Sequence, residues 1–355
     1  MHNILITVPK LSEQGGVSNF WNSLFMVLNN YKSTNFTPLE IGGHGKNILG
    51  PIQDQLHFHK TLKQNYDLYL LNPSLLVRSF FRDGFFAKQL VKKKTPFVVF
   101  FHGWDIDFQK KIDTKHKTFF QNSFAHAKKI FVLSEEFKEK LYEWGYRGEV
   151  IVQTTTVDAS LVNNFSLKQK REEKKLLNEP IKLLFISRLV KEKGVFELIE
   201  AFKSLSKKRE NIELTVAGDG EAFNEIEERI KNQKNIKLTG FVEGKEKIEL
   251  FKTSDIYILP SYTEGLPVSV LEAMLFGIPI LTTQVGGLKR FFKNEQMGYF
   301  INTKDATDIE EKIELMLSSP EKMEEMSDFN YNYAQTYLTN EIVAKELYEH
   351  LKELL

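Results

Sequence analysis

Short, continuously apolar runs separated by longer amphipathic segments recur along most of this chain, and few folds accept that rhythm. Runs such as Ile4-Leu5-Ile6-Thr7-Val8 and Ile256-Tyr257-Ile258-Leu259 are too short for core helices and show no polar face. They read as strands of a parallel sheet buried on both sides, with the segments between them as the covering helices. In the first half the expected strands are 3–8, 37–41, 67–71, 96–101, 129–133 and 149–152. Helices are expected at 17–29, 74–94, 115–127 and 135–144, the last with Ser134 as N-cap and Phe137 and Leu141 on one face.

From Leu167 to Glu179 the rhythm gives way to K-Q-K-R-E-E-K-K-L-L-N-E followed by Pro180. A mixed charge run of this kind is a solvated helix or a linker, and a domain boundary is expected there. A second series then begins, with strands at 181–187, 213–217, 236–239, 256–259 and 278–282 and helices at 195–208, 222–233, 245–252 and 268–276. At 355 residues the chain exceeds one ordinary open α/β core. The expected division is an N-terminal Rossmann-like domain (1–165), a linker (166–180), a C-terminal Rossmann-like domain (181–332) and a final segment (333–355). In that segment Ile342, Val343, Leu347, Leu351 and Leu354 share a helical face that needs cover, which the first domain can supply.

Charge and composition narrow the function. Lys plus Arg (48) balances Asp plus Glu (47), so bulk charge does not point to nucleic acid. No cysteine is present, which excludes disulfides and thiolate metal sites. The first residues enter an apolar strand without a signal-peptide pattern, and no apolar run approaches the ~20 residues that cross a bilayer. The expectation is a cytoplasmic protein.

The densest chemistry lies in P-S-Y-T-E-G-L-P-V-S-V-L-E-A-M-L-F-G-I-P, residues 260–279. Gly265 suits a sharp turn and Pro267 the first turn of a helix. Within that apolar helix stands one carboxylate, Glu272, and Glu264 lies in the loop before it. A buried carboxylate needs a donor. A helix N-terminus at the carboxyl end of a parallel strand is a seat for phosphate, and Glu272, about 5 Å further along the axis, reaches a sugar diol. The alternative is a Glu satisfied by an Arg or a backbone amide. After the strand 181–187 come Arg188 and Lys193, which either neutralise a pyrophosphate or are solvated surface cations. Gly218-Asp219-Gly220 reads as a tight turn.

Taken together, S-R-x4-K-G, A-G-D-G, E-G-L-P-x4-E-A, G-I-P and Val285-Gly286-Gly287 resemble, in order and spacing, the retaining glycosyltransferases of the GT-B fold, family 4. Gly15-Gly16-Val17 and His102-Gly103 match that family more loosely. The resemblance implies two doubly wound Rossmann-like domains facing each other across a cleft. It implies that Arg188 and Lys193 bind the diphosphate of a nucleotide-sugar and stabilise the leaving group. Glu272 would hold the ribose, and Glu264 the hydroxyls of the transferred sugar. A nucleophilic role has been proposed for that position in the family, and we do not adopt it. Gly265, Leu266, Pro267 and Phe241 would complete the nucleotide-sugar site, with base recognition through backbone near Gly240-Phe241. Gly16 would approach the diphosphate through its N–H. His102 would touch the donor sugar or its phosphate, its alternative being a histidine satisfied by backbone at a strand end. No cofactor and no metal are implied, and the donor phosphate helps deprotonate the acceptor in a front-face reaction.

Two features depart from the family. After the Gly-Gly pair stands Leu288-Lys289-Arg290-Phe291, where an acidic residue is usual. Asp105-Ile106-Asp107 forms a D-x-D, the metal motif of a different glycosyltransferase fold, and stands in the wrong domain for that role. Residues 75–94 combine Arg78, Arg82, Lys88 and Lys92–Lys94 with four phenylalanines. We read a helix that buries its phenylalanines and solvates its cations. The other reading is peripheral contact with the inner face of a membrane, suited to a lipid-linked acceptor. The expected activity is hexose transfer to a saccharide or lipid-linked saccharide, in surface polysaccharide, lipopolysaccharide or other glycan assembly. The competing readings are a silent nucleotide-sugar-binding partner of another transferase and a GT-B epimerase.

Overall fold

Strand pairing is parallel throughout both main sheets, as continuously apolar strands require. The structure, a computed structural model, describes residues 1–13, 15–43, 49–177 and 179–355. The chain divides into two compact units, Met1–Thr156 together with Asn340–Leu355, and Val157–Thr339.

The first unit runs β1 (His2–Val8), α1 (Gly16–Leu28), β2 (Thr34–Glu40), α2 (Gly50–Thr61), β3 (Leu68–Leu71), the two-residue β4 (Ser74–Leu75) and α3 (Val77–Lys93). It continues with β5 (Phe97–Phe101), the short β6 (Gly103–Trp104), α4 (Ile106–Lys111), α5 (Lys117–Gln121), β7 (Lys129–Val132), α6 (Glu135–Glu143) and β8 (Glu149–Val152). The six longer strands form one sheet in the order β2-β1-β3-β5-β7-β8. Period-two alternation sorts its residues to two faces. Leu5, Tyr69, Leu71, Val99, Phe101 and Ile130 pack with Phe80 and Phe86 of α3. Ile4, Ile6, Leu68, Val98 and Phe100 pack with Phe20, Trp21 and Leu24 of α1. Ser134 caps α6 by accepting from Phe137 N at 3.4 Å.

The second unit runs α7 (Leu167–Leu177), β9 (Ile181–Ile186), α8 (Val195–Leu205), β10 (Ile212–Ala217), α9 (Phe223–Ile230), β11 (Ile236–Gly240) and α10 (Gly244–Thr253). Then come β12 (Ile256–Leu259), α11 (Val268–Leu275), β13 (Ile280–Thr283), α12 (Leu288–Phe291), β14 (Gly298–Ile301), α13 (Ala306–Leu317) and α14 (Pro320–Tyr337). Its sheet order is β11-β10-β9-β12-β13-β14, a doubly wound arrangement that reverses direction between β9 and β12. The last helix, α15 (Asn340–Lys352), belongs to the first unit and buries Val343, Leu347 and Leu351 in the face that α1 covers.

Several segments differ from expectation. Of the stretch read as a linker, 167–177 is the helix α7 of the second unit, and Asn178 lies outside the described residues. The charges that suggested a linker hold α7 in place: Arg171 pairs with Asp328 at 3.0 Å, and Lys170 Nζ donates to Ser254 O at 2.5 Å. Helix α3 starts at Val77 rather than at 74, because Ser74 and Leu75 pair with Gly103 and Trp104. The helix expected over 115–127 is broken, with a wide turn over Ile112–His116 preceding α5. β14 was not anticipated. Among the described residues no helix is long and apolar enough to cross a membrane.

Candidate active site

Open α/β sheets gather ligands at the carboxyl ends of strands where the strand order reverses. In the second unit that point lies between β9 and β12. The loop after β9, Ser187 to Gly194, carries Arg188 and Lys193, and the loop after β12, Pro260 to Pro267, carries Glu264. The two loops are tied together, since Tyr262 N donates to Glu192 O at 2.8 Å. Below them the Tyr257 hydroxyl donates to Ile186 O at 3.0 Å and lies 2.7 Å from the Ser269 hydroxyl, joining β9, β12 and the first turn of α11.

This bracing brings Lys193 Nζ to 2.5 Å from Glu264 Oε1, with the two side chains only 14% and 8% exposed. A largely desolvated pair of this kind interacts far more strongly than a surface ion pair. An ammonium carries three N–H donors, so one carboxylate oxygen does not exhaust it. Beside the pair α11 begins, Pro267 standing at its N-cap rather than inside the first turn, and Val268 opening the helix. The first N–H groups of such a helix have no intrahelical acceptor and favour an anion.

Glu272 sits one turn into α11 and is buried. Its Oε1 accepts from Lys247 Nζ of α10 at 2.7 Å, while Oε2 is enclosed with no hydrogen-bond partner among the described residues. Burial pushes its carboxyl above the usual range, with Asp158 adding to the rise and Lys247 opposing it. The satisfying donor is thus a lysine, and it satisfies only one oxygen. Lys247 was not singled out from sequence, because one lysine within G-K-E-K carries no signal of what it faces.

The glycines after β13 have a positional reason. Gly286 has φ +51°, and a Cβ there would lie 1.7 Å from Glu264 O. Gly287 N donates to Gly265 O at 2.8 Å. The Gly-Gly pair therefore fixes the loop that presents Glu264. Gly265, by contrast, is exposed, has open space around it and does not adopt positive φ, so the sharp turn expected there is not what calls for glycine. Leu266 is half-buried next to it. Arg188 is exposed at the end of β9, and Phe241 is 56% exposed at the end of β11. Neither joins the Lys193–Glu264 pair. Lys289 and Arg290 fall on α12 and are exposed.

In the first unit His102 directly follows β5. Its ring stacks on Phe100 with centroids 3.9 Å apart, and its backbone N donates to Pro73 O at 3.2 Å. Nε2 is enclosed without a hydrogen-bond partner among the described residues, and burial pushes the imidazole down to about 3. The side chain is therefore neutral, and the backbone alone does not satisfy it. Gly16 is exposed and opens α1. Asp105 caps α4 by accepting from Phe108 N at 2.6 Å, and Asp107 pairs with Lys110 at 2.9 Å. Those contacts account for the D-x-D as helix-start chemistry.

Residues 167–333 match the family described as glycosyl transferases group 1. The putative teichuronic acid biosynthesis glycosyltransferase TuaC of Bacillus subtilis is 28% identical over 243 residues, 67% of this chain and 59% of that protein. The N,N'-diacetylbacillosaminyl-diphospho-undecaprenol alpha-1,3-N-acetylgalactosaminyltransferase of Campylobacter jejuni is 30% identical over 202 residues, 55% of this chain and 52% of that protein. The chain thus spans little more than half the length of these curated relatives. In fold it is similar to sucrose-phosphate synthase from Thermosynechococcus elongatus, with a TM-score of 0.76, 15% identity, and coverage of 100% of this chain and 99% of that one. Two Rossmann-like units with this likeness are the GT-B fold.

Proposed function

We propose that this protein transfers a hexose from a nucleotide-diphospho-sugar to a saccharide or lipid-linked saccharide, with retention, in surface polysaccharide or related glycan synthesis. The observation that carries the reading is the buried Lys193–Glu264 pair beside the start of α11, with Glu272 one turn further along the same helix. The names of the relatives, one concerned with teichuronic acid and one with a diphospho-undecaprenol acceptor, support the class of product.

In this reading Lys193 turns its remaining N–H donors to the donor's diphosphate, and the N-terminus of α11 adds its partial positive charge. Arg188, free to swing from its exposed position, supplies a second cation. Glu264 accepts from hydroxyls of the transferred sugar, and Glu272 from the ribose. The family resemblance would give Gly16 a diphosphate contact and His102 a sugar contact, and His102 is held as a neutral imidazole. The anomeric carbon's bond to the phosphate oxygen breaks while its bond to the acceptor oxygen forms on the same face. The acceptor's proton passes to the departing phosphate. Cationic side chains answer the diphosphate's charge, so no metal or cofactor is assigned a part. We place the enzyme in the cytoplasm with peripheral contact at the membrane's inner face.

The test is turnover of uridine-, guanosine- and adenosine-linked sugars, with NMR of the product's anomeric linkage. Lys193→Ala is expected to lower turnover at least a hundredfold, the loss found when one transition-state donor is removed, with its thermal unfolding cooperative. Wild-type turnover by that variant, or an inverted product, would overturn the reading.

A further inference from the structure

Glu272 is set up asymmetrically. Lys247 Nζ holds Oε1 at 2.7 Å, and Oε2 is buried with nothing to accept from. The Lys247 side chain is 29% exposed and that of Glu272 9%, so the lysine reaches in from α10 at the rim of the site. A buried acceptor without a donor costs free energy and persists where a ligand supplies the donor. A carboxyl buried this deeply is driven toward its neutral form, and Lys247 is the cation that opposes this. The other charged or titratable groups that bear on Glu272 are Asp158, whose charge disfavours ionisation, and Tyr257 of β12. Burial keeps the Tyr257 hydroxyl protonated.

We propose that Lys247 is a positioning residue for the donor: it occupies Oε1 and leaves Oε2 as the acceptor for one hydroxyl of the nucleotide's ribose. The proposal rests on the nucleotide-sugar reading above and adds a residue which that reading does not use. The opposite assignment makes Lys247 a latch that competes with the ribose for Glu272. The two predict changes of opposite sign when the lysine is removed.

Calorimetry with nucleoside diphosphates separates these outcomes without depending on turnover. The full chain is titrated with whichever of the uridine, guanosine or adenosine diphosphates it binds, and with the matching 2',3'-dideoxy diphosphate, between pH 6 and 9. Lys247→Met is expected to weaken the ribonucleotide about tenfold at pH 7, on the scale of one hydrogen bond to a charged group. Without its cation Glu272 titrates higher still, so the lost affinity returns as pH rises and the carboxylate re-forms. Lys247→Arg should keep most of the affinity. The dideoxynucleotide should bind wild type and Lys247→Met alike, which also controls for misfolding. Tighter binding by Lys247→Met, or equal losses for the two nucleotides, overturns the proposal while leaving the donor reading intact. A wild-type chain that binds none of the three diphosphates overturns the donor reading and this proposal with it.

Discussion

His102 follows β5 with its ring on Phe100 and its Nε2 enclosed, so protonating it would bury a charge without a partner. Its folded value of about 3 lies below the ordinary 6.5, so between those values the unfolded chain binds the extra proton. Stability then falls as pH drops through that window, by about 2 kcal/mol at pH 5. Denaturant midpoints measured from pH 7 to 4 should fall for wild type and fall less for His102→Phe. Identical slopes would mean that the imidazole takes up its proton in the native state. Side-chain types at single positions were legible at this scale. Arg188, Lys193, Glu264 and His102 all stand in the segments that follow strands, and Glu272 on α11. Partnership was not legible, because Lys193 meets Glu264 across 71 residues and Glu272 meets Lys247 across 25. Those pairs exist only once β9, β12 and α10 are in register.

At the scale of elements, strands and the helices with a clear apolar stripe followed from periodicity, since burial on one side dictates it. Helix α2 did not, because Ile52 and Leu56 are 57% and 60% exposed and spoil any such stripe. Exposed apolar residues matter on α3 as well. That helix buries Phe80, Phe86 and Leu90 as expected, yet leaves Phe85 49% and Val77 48% exposed. Lys88 Nζ stands 5.6 Å from the Phe85 ring, and Arg78 and Lys92 are exposed on the same helix. Gly84 lies within α3 without interrupting it, and Phe119 packs where its Cβ would be. An exposed mixture of aromatic and cationic side chains suits an anionic lipid surface. The full chain should therefore sediment with vesicles rich in anionic lipid and be released by salt. Phe85→Ser should weaken that association several-fold. If sedimentation were the same with neutral vesicles, peripheral contact would have no basis in these residues.

For the whole molecule, the decisive fact is that one unit is continuous in sequence and the other is not. Among the described residues, the apolar core of the second unit draws only on those between Val157 and Leu338. The first unit instead needs α15, whose Val343, Ala344, Leu347, Tyr348 and Leu351 cover one face of its sheet after the chain has completed the second unit. Losing three buried aliphatic side chains of this size costs about 5 kcal/mol or more, comparable to the whole stability of an ordinary domain. Two fragments should then behave differently. Residues 157–339 alone should unfold cooperatively and bind the nucleoside diphosphate preferred by the full chain, since Lys193, Glu264, Lys247 and Glu272 all lie within it. A chain ending at 339 should keep that nucleotide affinity while showing an early thermal transition from an uncovered first unit, visible by calorimetry as two separated peaks. If residues 157–339 proved unfolded by circular dichroism, the second sheet would need more than its own helices to close its core. The nucleotide site could then not be assigned to that unit by itself.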